Sequence, residues 1–217
     1  MALTRPAAAI FDLDGTLIHT EPRNRVLWTR LFERHGVAHD EALIASFAGR
    51  RGHEVLAELL HLFPGRTVEE LFRQAIEYEE HPDWPDAEPV PGAVELVHSL
   101  HAEGVPLGLV TSGMRPYAHG LLEELGITRL LDVIVTADDV RNGKPHPEGY
   151  LAACAHLAVS PARAVAFEDA PAGVAAAKAA GMAVVAVATT MPAARLSQAD
   201  RIVADLREVR WPRVFGG

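Results

Sequence analysis

Short apolar runs at residues 7 to 11, 107 to 110, 133 to 135, 164 to 167 and 183 to 187 punctuate the chain, and they lack alternation with polar residues. Strands of that texture are buried on both faces, as in a parallel sheet, because one wet face would impose a period of two. Between them lie helical patterns with legible ends: 91 to 103 stopped by Gly104, 116 to 125 stopped by Gly126, 147 to 157, and 171 to 180 stopped by Gly181. Each opens on a proline, whose missing N–H is harmless in a first turn, and glycine just past the end closes a helix well. The rhythm predicts an α/β, doubly wound fold.

Residues from about 17 to 87 break that rhythm, with helical periodicity and no convincing strand. Helices are expected over 23 to 34 (Val26, Leu27 and Leu31, turned off at Gly36), 41 to 47, 53 to 62 and 67 to 78, and Thr67 with Glu70 has the capping-box spacing. Pro82, Pro85, Pro89 and Pro91 then return the chain to the sheet. The expectation is a helical insertion, residues 17 to 87, after the first strand of a core formed by 1 to 16 and 88 to 217. A chain of 217 residues accommodates either one domain or such a core plus insert. No internal repeat is visible.

With 49% hydrophobic and 23% charged residues the composition is that of an ordinary globular protein. Net charge is -9, and no basic run or basic-aromatic stripe is present to track a phosphate backbone, which argues against nucleic acid as a partner. An anionic ligand would meet overall repulsion, so an anion site must make its own positive field from a metal, a lysine or helix N-termini. The single cysteine, Cys154, stands among alanines and reads as packing in a reducing cytoplasm. Nothing approaches the roughly 18 apolar residues of a membrane span, and Asp12 and Asp14 interrupt any signal-like stretch at the N-terminus. A soluble, cytoplasmic protein is expected.

Phe11-Asp12-Leu13-Asp14-Gly15-Thr16 follows directly on the first apolar run. Two carboxylates at a strand end face the mouth of the sheet, where α/β folds place ligands. So close together they either bind a cation or split their protonation, and both outcomes suit phosphoryl chemistry: an ionised nucleophile beside a proton donor. Alone, the segment is also what a polar turn with a permissive Gly15 would look like. Thr111-Ser112-Gly113 ends a second run before a helix, where backbone amides can cradle phosphate; singly, these residues are more often plain caps. Lys144, one of only two lysines, sits in Gly143-Lys144-Pro145 and could neutralise phosphate and nucleophile together, whereas Lys178 lies mid-helix and reads as a solvated surface residue. Glu168-Asp169 closes another run, with oxygen donors fit for a hard cation such as Mg²⁺.

Taken in order, Asp12-x-Asp14-Gly15-Thr16, Thr111-Ser112-Gly113, Lys144-Pro145 and Glu168-Asp169 resemble the four motifs of the haloacid dehalogenase superfamily. The resemblance spans nearly the whole chain, the insert included, which looks like that superfamily's cap. It implies a Rossmann-like core, an aspartyl-phosphate on Asp12 and acid/base work by Asp14. Mg²⁺ would be held by Asp12, the Asp14 carbonyl and Asp169 with Glu168 nearby, and phosphate by Thr111 and Lys144. Local stretches around Val90-Pro91-Gly92, Lys144-Pro145-His146 and Phe167-Glu168-Asp169 look most like sugar- and glycerol-phosphate phosphatases, so the expected partner is a small phosphorylated metabolite.

Asp14 argues against dehalogenation, since relatives with that activity lack the second aspartate, and residues 17 to 87 contain no lysine for a phosphonate-cleaving Schiff base. β-Phosphoglucomutase is the runner-up. Its cap carries a histidine, an arginine and a lysine where this chain has Asn24, Gly52 and no lysine. His19 stands where relatives commonly have an acidic residue. Arg50, Arg51 and His53, following Gly49, are candidates to meet the leaving group, with Asn24. A non-catalytic binding module on the same fold is the alternative from another class.

Overall fold

The computed structural model describes residues 6–80 and 84–215; Pro82 lies outside the described residues. Six parallel strands form the main sheet: β1 (Ala8–Phe11), β4 (Leu107–Val110), β5 (Val133–Val135), β6 (Ala164–Glu168), β7 (Ala183–Val187) and β8 (Arg201–Val203), in the order β5-β4-β1-β6-β7-β8. Alternate residues of each strand face opposite ways. Ala9, Phe11, Leu109 and Phe167 therefore join one core with α5 (Ala93–Ala102) and α6 (Arg115–Glu124). Ile10, Val110, Ala166 and Ala186 join another with α7 (Glu148–His156) and α8 (Pro171–Ala179), on the opposite face. Cys154 belongs to that second core, and burial pushes its thiol up to about 11, as expected of packing.

Beyond its base, the regular elements of the insert's described residues are helical: α1 (Glu21–Arg34), α2 (Glu41–Ala45), α3 (Gly52–Glu58) and α4 (Val68–Ile76), around a separate core of Leu27, Trp28, Phe32, Phe47, Leu56, Phe63 and Leu71. Thr67 and Glu70 close both bonds of the capping box at the start of α4. The fold is thus a Rossmann-like parallel sheet core with an inserted helical cap.

Several expectations need correction. The stretch expected to lack strands contains β2 (Ile18–His19), which pairs antiparallel with β3 (Glu88–Pro89) where the chain enters and leaves the cap. The helix expected over 53 to 62 ends at Glu58 and gives way to a 3₁₀ turn, Leu60–Leu62. The one expected from residue 91 begins at Ala93, because Gly92 is held left-handed (φ 85°) with its Cα against the Leu206-Arg207 backbone, where a Cβ would come within 2.5 Å. Lys178 is not merely solvated but pairs with Asp200 at 2.8 Å. No helix among the described residues is long and apolar enough to cross a membrane.

Candidate active site

Three neighbouring strands end at one point. Register pairs Phe11 with Leu109 on one side and with Phe167 on the other, so the next residues, Asp12, Val110 and Glu168, arrive side by side. Strand order reverses about β1, and such a switch point is where open α/β sheets bind ligands. Asp12, Glu168 and Asp169 each bring a carboxylate oxygen into a group whose members lie within 4.8 Å of one another, all buried. Lys144 reaches in from its loop, its ammonium 2.5 Å from Asp12 Oδ1, 2.6 Å from Glu168 Oε1 and 3.0 Å from the Val110 carbonyl. Tyr150 donates its hydroxyl to the same Glu168 oxygen at 2.6 Å.

The charges do not balance, since three buried carboxylates face one ammonium. Burial pushes Asp12 up to about 8, with Glu168 and Asp14 adding to the rise against the pull of Lys144. Asp169 is driven well above the carboxylate range by burial, then by Asp12 and Glu168. Burial opposes the charge of Lys144, yet Asp12 and Glu168 hold its ammonium above the ordinary lysine value. Glu168 Oε2 and Asp169 Oδ1 are buried without a hydrogen-bond partner, a state that is costly unless something else meets them. Two surplus negative charges and two orphaned oxygens fit a divalent cation, a hard ion that takes oxygen ligands.

Two glycines make room for this cluster. A Cβ on Gly15 (φ 74°) would lie 2.1 Å from Asp169 Oδ2, and one on Gly173, in the first turn of α8, would lie 1.9 Å from Glu168 Oε1. The unusual dihedrals expected of Gly15 and the carboxylate chemistry are therefore one requirement, not alternatives.

The Asp14 side chain stands outside the acidic group. Its Oδ1 accepts from the Thr20 hydroxyl at 2.7 Å and the Tyr117 hydroxyl at 2.6 Å. Sequence reasoning missed Thr20, Tyr117 and Tyr150. Tyr117 is 103 positions from Asp14, and nothing local marks such a pairing.

A cavity of about 580 Å³ opens between cap and core, with Asp12, Asp14, Ser112 and Gly113 on one side. Thr111 and Lys144 border a smaller recess beside it, and the Thr111 hydroxyl accepts from the Gly113 N–H at 2.9 Å. Asn24, Arg50, Arg51 and His53, expected at the leaving group, all line the large cavity, as do Arg23, Trp28, Phe47, Phe72 and Trp84. Trp28 stacks on Phe47 at 3.9 Å and His53 on Phe72 at 3.8 Å. Arg50 is paired with Glu58, and the Arg51 guanidinium donates to the core carbonyls of Ala137 (2.8 Å), Val140 (2.8 Å) and Arg141 (3.0 Å). Gly52 lets the aromatic wall close: a Cβ there would lie 2.7 Å from the Trp28 ring.

Comparison with known proteins agrees with this geometry. Over 206 residues, 95% of this chain and 97% of the relative, the sequence is 52% identical to validoxylamine A 7'-phosphate phosphatase of Streptomyces hygroscopicus subsp. limoneus. It is 33% identical to hexitol phosphatase A of Escherichia coli over 92% of this chain and 91% of that one. A β-phosphoglucomutase structure from Clostridium difficile superposes with a TM-score of 0.81 at 26% identity, covering 95% of this chain and 94% of that chain. The model of the haloacid dehalogenase-like hydrolases matches residues 9–187, which include every strand-end residue of the site. With strand-end aspartates, buried lysine and helical cap all in place, the chain belongs to the haloacid dehalogenase-like hydrolase family.

Proposed function

We propose that the protein is a Mg²⁺-dependent phosphomonoester hydrolase that acts on a small phosphorylated sugar or polyol through an aspartyl-phosphate on Asp12. Its phosphatase class is shared with its relatives, at 52% identity in the validoxylamine A 7'-phosphate phosphatase. The observation that carries the mechanism is the buried Asp12–Glu168–Asp169 group with one lysine, which meets the cavity between cap and core at Asp12.

Asp12, Asp169 and the Asp14 carbonyl would hold Mg²⁺, with Glu168 alongside. When bound, the ion supplies positive charge that lets the three acids ionise together and draws charge from the phosphate oxygens. Lys144, Thr111 and the amide at Ser112 hold the phosphate, while the Gly113 N–H supports the Thr111 hydroxyl. An Asp12 carboxylate oxygen attacks phosphorus in line, and the ester P–O bond breaks as Asp14 gives its proton to the leaving oxygen. Asp14 then takes a proton from water, which attacks phosphorus and frees the Asp12 carboxylate with release of inorganic phosphate. Thr20 and Tyr117 both donate to Asp14 Oδ1, which fixes that carboxyl and reserves Oδ2 for the moving proton.

We take residues 17 to 87 as the cap and the rest as the catalytic core, with β2 and β3 at the crossing. The aromatic wall of Trp28, Phe47 and Phe72 suits the C–H faces of a sugar or cyclitol ring, and Arg23 and Asn24 offer donors to its hydroxyls. The reaction belongs in the cytoplasm, where Cys154 stays reduced.

Phosphate release from glycerol, hexose, hexitol and cyclitol phosphates, with EDTA and Asp12→Asn controls, tests the proposal. Release that needs both metal and Asp12 is expected. Release that persists in Asp12→Asn would sink the nucleophile, and conversion of β-glucose 1-phosphate to glucose 6-phosphate without release would make the chain a mutase.

A further inference from the structure

We propose that Arg51 and Glu54 are positioning residues: from the cap they grip the loop carrying Lys144, so the lysine is set for phosphate only while cap and core are engaged. The inference rests on the phosphate-binding role given to Lys144 above.

Lys144 follows a loop, residues 137 to 143, that leaves the end of β5 and belongs to no regular element for most of its length. Such a segment needs partners for its backbone groups. The cap supplies them for three carbonyls and one N–H, and the core for the rest, including the Ala137 N–H on the Gly113 carbonyl and the His146 N–H on the Gly143 carbonyl. The Arg51 guanidinium gathers the Ala137, Val140 and Arg141 carbonyls, and Glu54 Oε1 accepts the Gly143 N–H at 3.0 Å. Arg51 and Glu54 also face each other at 3.4 Å, so the two grips form one unit across the start of α3. From the core side Glu148 takes the Arg141 N–H at 2.8 Å and the Asn142 N–H at 3.1 Å.

Arginine is suited to this task because its planar fork carries five N–H donors, whereas a lysine ammonium is a point charge on a flexible stem. The Arg51 side chain is 14% exposed, so its bonds are little diluted by water. Gly143 completes the fit: a Cβ on it would lie 2.8 Å from both Arg51 Cδ and Glu54 Oε1. With its guanidinium on main-chain carbonyls, Arg51 serves the loop, and the leaving group is left to other cavity residues.

Gly143 is bonded to the cap and Lys144 is the next residue, its ammonium fixed on Asp12, Glu168 and Val110. Loss of the grip lets the loop drift. A displacement of about 1 Å at a reacting centre costs on the order of 100-fold in rate.

The test is steady-state kinetics on p-nitrophenyl phosphate and on the best metabolite of the panel, with vanadate as a phosphate-like inhibitor. Arg51→Ala, Arg51→Lys, Glu54→Ala and Lys144→Ala are compared with the parent. Arg51→Ala and Glu54→Ala should each lower kcat about 10- to 100-fold, by the same factor for both substrates, with little change in KM and a parallel weakening of vanadate. Arg51→Lys should recover part of the loss. Unchanged kcat in Arg51→Ala and Glu54→Ala beside a crippled Lys144→Ala overturns the grip alone. A loss confined to KM and different for the two substrates does so too, and makes Arg51 a leaving-group contact. Full activity in Lys144→Ala overturns the phosphate role beneath it. Should Arg51→Ala fail to fold, Glu54→Ala carries the same expectation.

Discussion

The sheet end and the cap face each other across one cavity and are built on opposite principles. At the sheet end the functional side chains are charged, buried and tied to named partners, as in the Lys144 bonds to Asp12 and Glu168. In the cap the cavity wall is aromatic, with Trp28 on Phe47 and His53 on Phe72. Its charged pairs, such as Arg25–Glu41 and Arg34–Glu77, lie largely in solvent, where ion pairs contribute about 0–1 kcal/mol. A change of one atom should therefore be ruinous at the sheet end, while the cap answers to shape and apolar area. Arg51 and Glu54, like Thr20 at the cap's base, are exceptions, polar residues of the insert turned to the core's business.

Substitutions can break this contrast. Asp12→Asn, isosteric and uncharged, should lower turnover by about 10⁴-fold or more, and Asp14→Asn by about 10²- to 10⁴-fold. A near-normal rate in either, measured as phosphate release, would deny that single atoms rule the sheet end. Trp28→Ala should cost about 3–5 kcal/mol of stability in urea titration, yet cut turnover of a small aryl phosphate far less than Asp14→Asn does. Equal losses would erase the distinction.

Titration sharpens it, because the two regions have opposite signs. In the metal-free protein Asp12 keeps a proton that the unfolded chain has released, so stability falls as pH rises from 3.8 to about 8. Mg²⁺ should remove that fall, since it favours the ionised acids. Burial lowers His53 in the cap, so the cap loses stability as pH falls through the ordinary histidine value of 6.5. Melting curves across pH, with EDTA and with Mg²⁺, check both, and a metal-free protein that gains stability between pH 4 and 8 would contradict the first. The smallest effect expected is from Thr67→Ala, which removes the α4 cap: about 1 kcal/mol and no change in turnover.

The same contrast decided what could be read from the sequence. Strands buried on both faces declared themselves as apolar runs, and the site's strand-end residues followed from them. β8 stayed hidden because it is an edge strand, with Arg201 and Ile202 partly open to water, so it carries no such run. β2 and β3, two residues each, are too short for any period. The cap helices were legible through their apolar spacing, but α3 stops early, where Leu59 leaves the helix for a 3₁₀ turn. Within the site, Asp12, Asp14, Glu168 and Asp169 were legible because acids stood at or just past the ends of apolar runs, and Lys144 because it is one of only two lysines. Thr20, Tyr117 and Tyr150 were not, since common residues gain their roles only through distant partners.

Gly52 offers a handle for retargeting the enzyme. Its missing side chain is what allows the Trp28 indole to lie where it does, with Phe72 3.0 Å from the same vacant position. Enlarging residue 52 must move one of those rings, and both line the cavity between cap and core. On the function proposed above, one codon in the cap would control the volume offered to the alcohol, and substrate range would change by mutation there while the phosphoryl chemistry is inherited intact.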